Sequence, residues 1–180
     1  MTIKELPFFI ISDVHGDETV LNLVKLKLQA QVAQALLICG DLCPNSPYFT
    51  MCLQNMPCPY YLVRGNCDSL WDFSEYNLAL PPLTREIAFN EKTIAMTHGH
   101  IYYVDNYPYS FKSCDIFIYG HTHVAEMIKG DETHPNILNP GSISRPRGTR
   151  EGTFIKLYQD RAELWSLSDK KLKSLLLAQS

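Results

Sequence analysis

Three short apolar runs in the first third of the chain each break off at a polar residue, and this arrangement narrows the possible folds more than any other feature. Phe8-Phe9-Ile10-Ile11 stops at Ser12-Asp13, Ala35 to Cys39 stops at Gly40-Asp41, and Pro59 to Val63 stops at Arg64-Gly65-Asn66. Brief apolar runs bounded by turn formers read as buried strands. Between the first two, residues 17–34 space Val20, Leu21, Val24, Leu28 and Val32 by threes and fours, which predicts a helix, with Asp17 placed to cap it. Tyr48 to Leu53 predicts a second, shorter helix. Strand, helix, strand, helix, strand is the order of a parallel α/β layer.

Beyond this point the pattern becomes mostly β. Thr84 to Phe89, Asn90-Glu91 and Lys92 to Met96 read as a hairpin. Asp115 to Tyr119, Val124 to Lys129, Ile137 to Asn139, Thr153 to Tyr158 and Ala162 to Trp165 are further short strand candidates, and Lys170 to Ser180 reads as a frayed or surface tail. The expectation is an α/β protein of two sheets packed face to face with helices outside. A chain of 180 residues is a natural size for one domain, here 1–180.

Composition excludes several classes. A net charge of −3 lacks the basic excess of a general nucleic-acid binder. No window approaches the roughly 18 apolar residues of a membrane span. Lys4 and Glu5 precede too short an apolar run for a secretory signal, so the six cysteines are expected as free thiols in a reducing cytoplasm. They contain no C-x-x-C pair, which argues against a zinc ribbon.

Five strand candidates end in side chains that ligate metals. Asp13-x-His15, Gly40-Asp41, Gly65-Asn66-Cys67-Asp68, His98-Gly99-His100 and Gly120-His121-Thr122-His123 all stand at carboxyl ends, where α/β sheets collect ligands. Each has a bland reading as a turn, cap or hydrogen-bonded loop; their conjunction in one chain does not. His121 and His123, at i and i+2 on a strand end, are expected to face the same side. Carboxylate, amide and imidazole together suit Mn²⁺, Fe²⁺, Zn²⁺ or Ni²⁺. Asp13, His15, Asp41, Asn66, His98, His121 and His123 are too many for one ion and enough for two, with Asp41 shared. Such a pair would bind a phosphate oxygen and activate a hydroxide for in-line attack on phosphorus.

In this order, D-x-H, G-D, G-N, H and G-H-x-H, the motifs resemble the calcineurin-like metallophosphoesterase superfamily. The closer likeness is to its small YfcE-like phosphodiesterases, through Gly-Asn-Cys-Asp at 65–68, Thr-His-Gly-His at 97–100 and Asn139-Pro140-Gly141-Ser142. The resemblance implies a four-layer α/β/β/α sandwich. It implies that Asp13, His15 and His123 hold one metal, that Asn66, His98 and His121 hold the other, and that Asp41 bridges. It further implies Mn²⁺ and a small phosphodiester substrate, with no membrane partner; a homo-oligomer stays open.

Cys67 stands where many members carry a histidine that protonates the leaving group. His100 is the candidate to replace it, with a supporting role beside a metal ligand as its alternative. Asp68 is expected to orient a histidine. Arg64, Arg145 and Arg147 are candidate phosphate contacts, with a solvated surface role the better reading for Arg147 and Arg150. Tyr102, Tyr103, Tyr107 and Tyr109 could line a pocket or simply pack. The alternatives are a phosphomonoesterase, or a protein-interaction scaffold like the retromer subunit of similar fold, which loss of ligand side chains would favour. Serine hydrolysis has little support, because Gly141-Ser142-Ile143-Ser144 lacks the G-x-S-x-G elbow.

Overall fold

A computed structural model describes residues 6–103, 106, 111 and 113–178. The three apolar runs form β1 (Phe8–Ile11), β2 (Ala35–Ile38) and β3 (Tyr60–Leu62), paired in parallel with Phe8 opposite Ala35 and Leu36 opposite Tyr60. Helix α1 (Glu18–Gln31) connects the first pair, and Asp17 caps it by accepting the Val20 N–H at 2.9 Å. Helix α2 (Pro47–Gln54) connects the second pair.

The hairpin is β4 (Thr84–Phe89) and β5 (Lys92–Thr97). It is followed by β6 (Ile116–Ile118), β7 (Ala125–Ile128), β8 (Asn136–Pro140), β9 (Thr153–Leu157) and β10 (Arg161–Ser166). With β11 (Lys171–Leu176) at its edge, one sheet has the order β11-β10-β9-β1-β2-β3, and the other has the order β4-β5-β6-β8-β7.

Side-chain alternation along β1 and β2 sorts the core into layers. Phe8, Ile10, Ala35 and Leu37 point between the sheets onto Ile94, Met96, Ile116, Ile118 and Leu138. Phe9, Ile11, Leu36 and Ile38 point outward onto Leu21, Val24 and Leu28 of α1 and Phe49 and Leu53 of α2. On the far face of the second sheet, Ala95, Phe117 and Tyr119 pack with Phe111 and Cys114. The result is the expected α/β class, a four-layer sandwich.

Two elements differ from the sequence expectation. The segment expected as a tail contains β11 (Lys171–Leu176), which pairs antiparallel with β10, and Leu177 beyond it is buried between the sheets. A third helix, α3 (Leu70–Glu75), follows β3 and is capped by Ser69, whose hydroxyl accepts the Asp72 N–H at 3.0 Å. All six cysteines are free. Among the described residues, no helix is long and apolar enough to cross a membrane.

Candidate metal centre

The parallel strands carry their carboxyl ends to one edge of the sandwich. Asp13 and His15 follow β1, Asp41 follows β2 and Asn66 follows β3, all in the first sheet; His98 follows β5, and His121 and His123 follow β6 in the second. The loops are stitched together by backbone bonds: Asp13 N–H to the Gly40 carbonyl at 3.1 Å, His15 N–H to Asp41 at 2.9 Å, and Gly120 N–H to His98 at 2.8 Å.

Five of these residues have left-handed backbone, with φ of 56° at Asp13, 49° at His15, 50° at Asp41, 65° at His121 and 63° at His123. This corrects the expectation for His121 and His123. They lie beyond β6, so repeated left-handed turns bring both to one cavity, in place of strand alternation.

Two clusters emerge. In the first, the buried Asp13 carboxylate sits 3.3 Å from His123 Nε2 and 3.9 Å from His15 Nε2, and the two Nε2 atoms are 3.3 Å apart. In the second, buried His98 places Nε2 3.1 Å from Asn66 Oδ1 and 3.4 Å from Asp41 Oδ2. The same Asp41 oxygen lies 3.8 Å from His15 Nε2, so Asp41 touches both clusters. His121 packs beside His98 with ring centroids 5.1 Å apart, and its N–H donates to Asp13 Oδ2 at 3.1 Å.

These donors fit cations. His98 Nδ1–H donates to the Cys39 carbonyl and His123 Nδ1–H to the Arg145 carbonyl, both at 2.7 Å, which leaves each Nε2 as a lone pair turned into the site. When neutral, His98 and His123 therefore offer ring lone pairs to the site, with Asn66 Oδ1 3.1 Å from His98 and His15 Nε2 3.3 Å from His123. Asp13 Oδ1 is buried and has no hydrogen-bond partner. Among the described residues, no lysine or arginine pairs with Asp13 or Asp41 (their ion-pair contacts are all to histidine). Two buried carboxylates without a strong counter-charge are costly in a metal-free protein. Asp13–His15–His123, Asp13–Asp41–His98 and His15–Asp41–Cys67 each bring three ligand atoms within 4.8 Å of one another.

The electrostatics follow from this crowding. Burial pushes the Asp41 carboxyl up, but the bond to His98 and the Cys67 N–H at 2.8 Å outweigh it and hold Asp41 below the usual carboxylate range. Burial pulls His98 down, and Asp41 more than restores it, so that imidazole is raised. His15, His100 and His121 are lowered, chiefly by burial. Burial and then the neighbouring Asp41 carboxylate push the Cys67 thiol up to about 11.

The remaining expected residues scatter around this core. Asp68, expected to orient a histidine, instead accepts the Cys43 N–H at 2.9 Å and the Gly65 N–H at 2.7 Å, bracing the loop that carries Asn66. His100 stacks near His98 with centroids 5.3 Å apart, and its Nδ1 is buried without a hydrogen-bond partner. Arg145 and Arg147 both line the cavity of about 600 Å³ over the site, and both are exposed to solvent. Arg64 does not line it, although its charge is felt at His100. Tyr102 is half-buried and Tyr103 exposed. Tyr107 and Tyr109 lie outside the described residues.

The sequence reading gave no role to the residues that hold the loops in place. Ser142 and Ser144 both donate to the Asp13 carbonyl, at 2.9 and 2.8 Å, and Asn139 donates to the Gly120 carbonyl at 3.0 Å and to Thr122 Oγ1 at 3.1 Å. The Asn139-Pro140-Gly141-Ser142 motif was the available signal, and its work is to tie the two sheets' loops together.

Comparison with known proteins agrees with this geometry. Residues 6–161 match the model of the calcineurin-like phosphoesterase superfamily domain. The chain is 30% identical to phosphodiesterase YfcE of Escherichia coli strain K12 over 175 residues, covering 89% of this chain and 92% of that one. It is also 30% identical to the probable metallophosphoesterase YsnB of Bacillus subtilis strain 168 over 158 residues, covering 82% and 81%. The solved structure of the E. coli phosphoesterase Yfce superposes with a TM-score of 0.82 at 25% identity, over 96% of this chain and 100% of that one. Vacuolar Protein Sorting 29 of Cryptosporidium parvum shares the fold alone, with a TM-score of 0.64 at 21% identity over 96% and 98%. The chain therefore belongs to the calcineurin-like phosphoesterase superfamily, whose divalent-metal chemistry its donor set fits.

Proposed function

We propose that this protein is a metal-dependent phosphodiesterase, built as one domain over residues 1–180, with a dinuclear centre that prefers Mn²⁺. Asp13, His15 and His123 would hold one ion, Asn66, His98 and His121 the other, and Asp41 would be shared. The observation that carries this reading is Asp41: one buried carboxylate oxygen faces His15 of the first cluster and His98 of the second. Mixed oxygen and imidazole donors suit Mn²⁺ among the borderline divalent ions.

When bound, two divalent ions supply Lewis-acid polarisation of a phosphoryl group and neutralise charge on adjacent oxygens. The chain's own residues do the rest. Arg64 carries a planar fork that would suit oxygens of the scissile phosphate, and Arg145 one that would suit a phosphate lying against the cavity wall. His100, whose ring lies beside that of His98, would pass a proton to the leaving oxygen. Cys67 presents its thiol near His15 and Asp41, while Asp68 fixes the loop that positions both Cys67 and Asn66. The six free thiols fit a reducing cytoplasm.

The scaffold alternative has less support, because the sorting-protein neighbour shares only the fold and superposes less well than the phosphoesterase. Stripped protein reloaded with Mn²⁺ should hydrolyse bis(para-nitrophenyl) phosphate, and Asp41→Asn should lower kcat by about a hundredfold or more. Near wild-type turnover in a metal-replete Asp41→Asn protein would sink the shared-carboxylate reading.

A further inference from the structure

Arginine is distributed unevenly in this chain. Three of its six arginines fall between residues 145 and 150, on the loop that leaves β8, and two of them, Arg145 and Arg147, line the cavity over the site. That loop is clamped to a candidate metal ligand. The Arg145 N–H donates to Ser142 Oγ at 2.8 Å, the Arg145 carbonyl accepts from His123 Nδ1 at 2.7 Å, and the Arg147 N–H donates to the His123 carbonyl at 3.0 Å. Both guanidiniums thus spring from backbone fixed relative to the site.

Neither guanidinium is neutralised. Among the described residues, no carboxylate forms an ion pair with Arg145 or Arg147. Arg161 shows what a structural arginine looks like in this protein: it bonds Asp160 at 2.8 Å and Glu163 at 3.1 Å and stacks 3.9 Å from the Tyr158 ring. Arg145 and Arg147 line the cavity, and Arg64 does not. The charge of Arg145 is felt at His15 and that of Arg64 at His100.

A phosphodiester carries one negative charge at the scissile phosphorus. Two divalent ions in the cradle would already meet it, so two unpaired guanidiniums at the cavity wall exceed what that group needs. A pair of planar forks matches a dianionic phosphomonoester in both charge and geometry. The cavity volume of about 600 Å³ leaves room for a sugar between two phosphates. We propose that Arg145 and Arg147 form a second anion subsite, and that the favoured substrates are phosphodiesters bearing a phosphomonoester about one sugar away from the scissile phosphorus. This inference rests on the phosphodiesterase reading above.

The test uses two chromogenic probes on the Mn²⁺-loaded full chain. Both are the para-nitrophenyl phosphodiester of deoxythymidine; the remaining deoxyribose hydroxyl is free in one and phosphorylated in the other. The phosphorylated probe should show a kcat/KM about tenfold higher, carried mainly by KM, since exposed guanidinium–phosphate contacts are strong for surface interactions yet screened. Arg147→Gln should bring the ratio close to one, and Arg147→Lys, which keeps the charge and loses the fork, should retain part of it. Equal kcat/KM for the two probes in the wild type, or a preference that persists in Arg147→Gln, would overturn the subsite. Binding separates this failure from failure of the reading beneath it. Titration calorimetry should show deoxythymidine bisphosphate binding more tightly than the monophosphate, and Arg147→Gln should remove the difference. A protein inert to both probes and to bis(para-nitrophenyl) phosphate, yet with that binding preference intact, would sink the phosphodiesterase reading and keep the subsite; loss of the binding preference as well would sink both.

Discussion

Asp13, His15, Asp41, His121 and His123 each hold a backbone conformation that L-residues avoid, at roughly 1–2 kcal/mol apiece. The surrounding bonds impose it: the N–H groups of Asp13 and His15 are tied to the β2 loop, and the Asp13 carbonyl is held by two serines. The identity of these residues was legible in the sequence, because carboxylates and imidazoles stood at strand ends beside glycines. Their backbone was not, because a residue's name does not carry its φ. Gly65 shows why the glycines matter. A Cβ there would lie 2.0 Å from Asp41 Oδ1 and 2.3 Å from the Asp41 backbone nitrogen, so the loop after β3 approaches Asp41 closer than any side chain allows. Gly65→Ala should therefore displace Asp41, lowering Mn²⁺ content and bis(para-nitrophenyl) phosphate turnover by about tenfold or more, while far-UV circular dichroism stays native. Unchanged metal content, measured by elemental analysis, would show that the close approach is dispensable.

Elements with a strong hydrophobic period were readable, and those defined by partners were not. The buried strands β1 and β2 and helix α1 announced themselves through apolar spacing. Strand β11 did not, because it is a sheet edge whose Lys171, Leu172, Lys173 and Ser174 are all exposed and whose lysines guard an open ladder. The buried Leu177, the bond from the Ala178 N–H to Asn136 Oδ1 at 2.9 Å and that from Lys173 Nζ to the Met127 carbonyl at 3.1 Å reveal that the segment is docked. Helix α3 was hidden by its length of six residues, although Ser69 and Asp72 carry a capping signal. Helix α1 also ends against local preference. Val32 adopts φ of 52° at the C-cap and is exposed, a conformation that suits glycine and strains a β-branched residue. Val32→Gly should stabilise the protein by about 1 kcal/mol, raising Tm by roughly 2–4 °C in thermal denaturation. A lower Tm would mean that the Val32 side chain contributes more by packing than its backbone costs.

At the scale of the whole molecule, the site is a seam. The first sheet supplies Asp13, His15, Asp41 and Asn66, and the second supplies His98, His121 and His123, so neither sheet holds a complete ligand set. Beneath the seam, the inter-sheet core is continuous and apolar, from Phe8 and Ile10 across to Ile116 and Ile118. At its mouth, the two sheets meet through crowded carboxylates and imidazoles, with Asp13 Oδ1 buried and without a hydrogen-bond partner. Metal binding should therefore act as a cross-sheet clamp and stabilise the native state by mass action. At free Mn²⁺ about a hundredfold above its dissociation constant, the gain is about 2.7 kcal/mol, or roughly 5–11 °C in Tm for a chain of this size. Excess chelator should return Tm to the metal-free value. Asp13→Asn removes one of the two buried carboxylate charges, so this variant should match or exceed the wild type in chelator, because the uncompensated charge is gone, and should gain much less from Mn²⁺. If the variant and wild type instead gain equally from Mn²⁺, Asp13 is not a ligand, and the seam is held by packing alone.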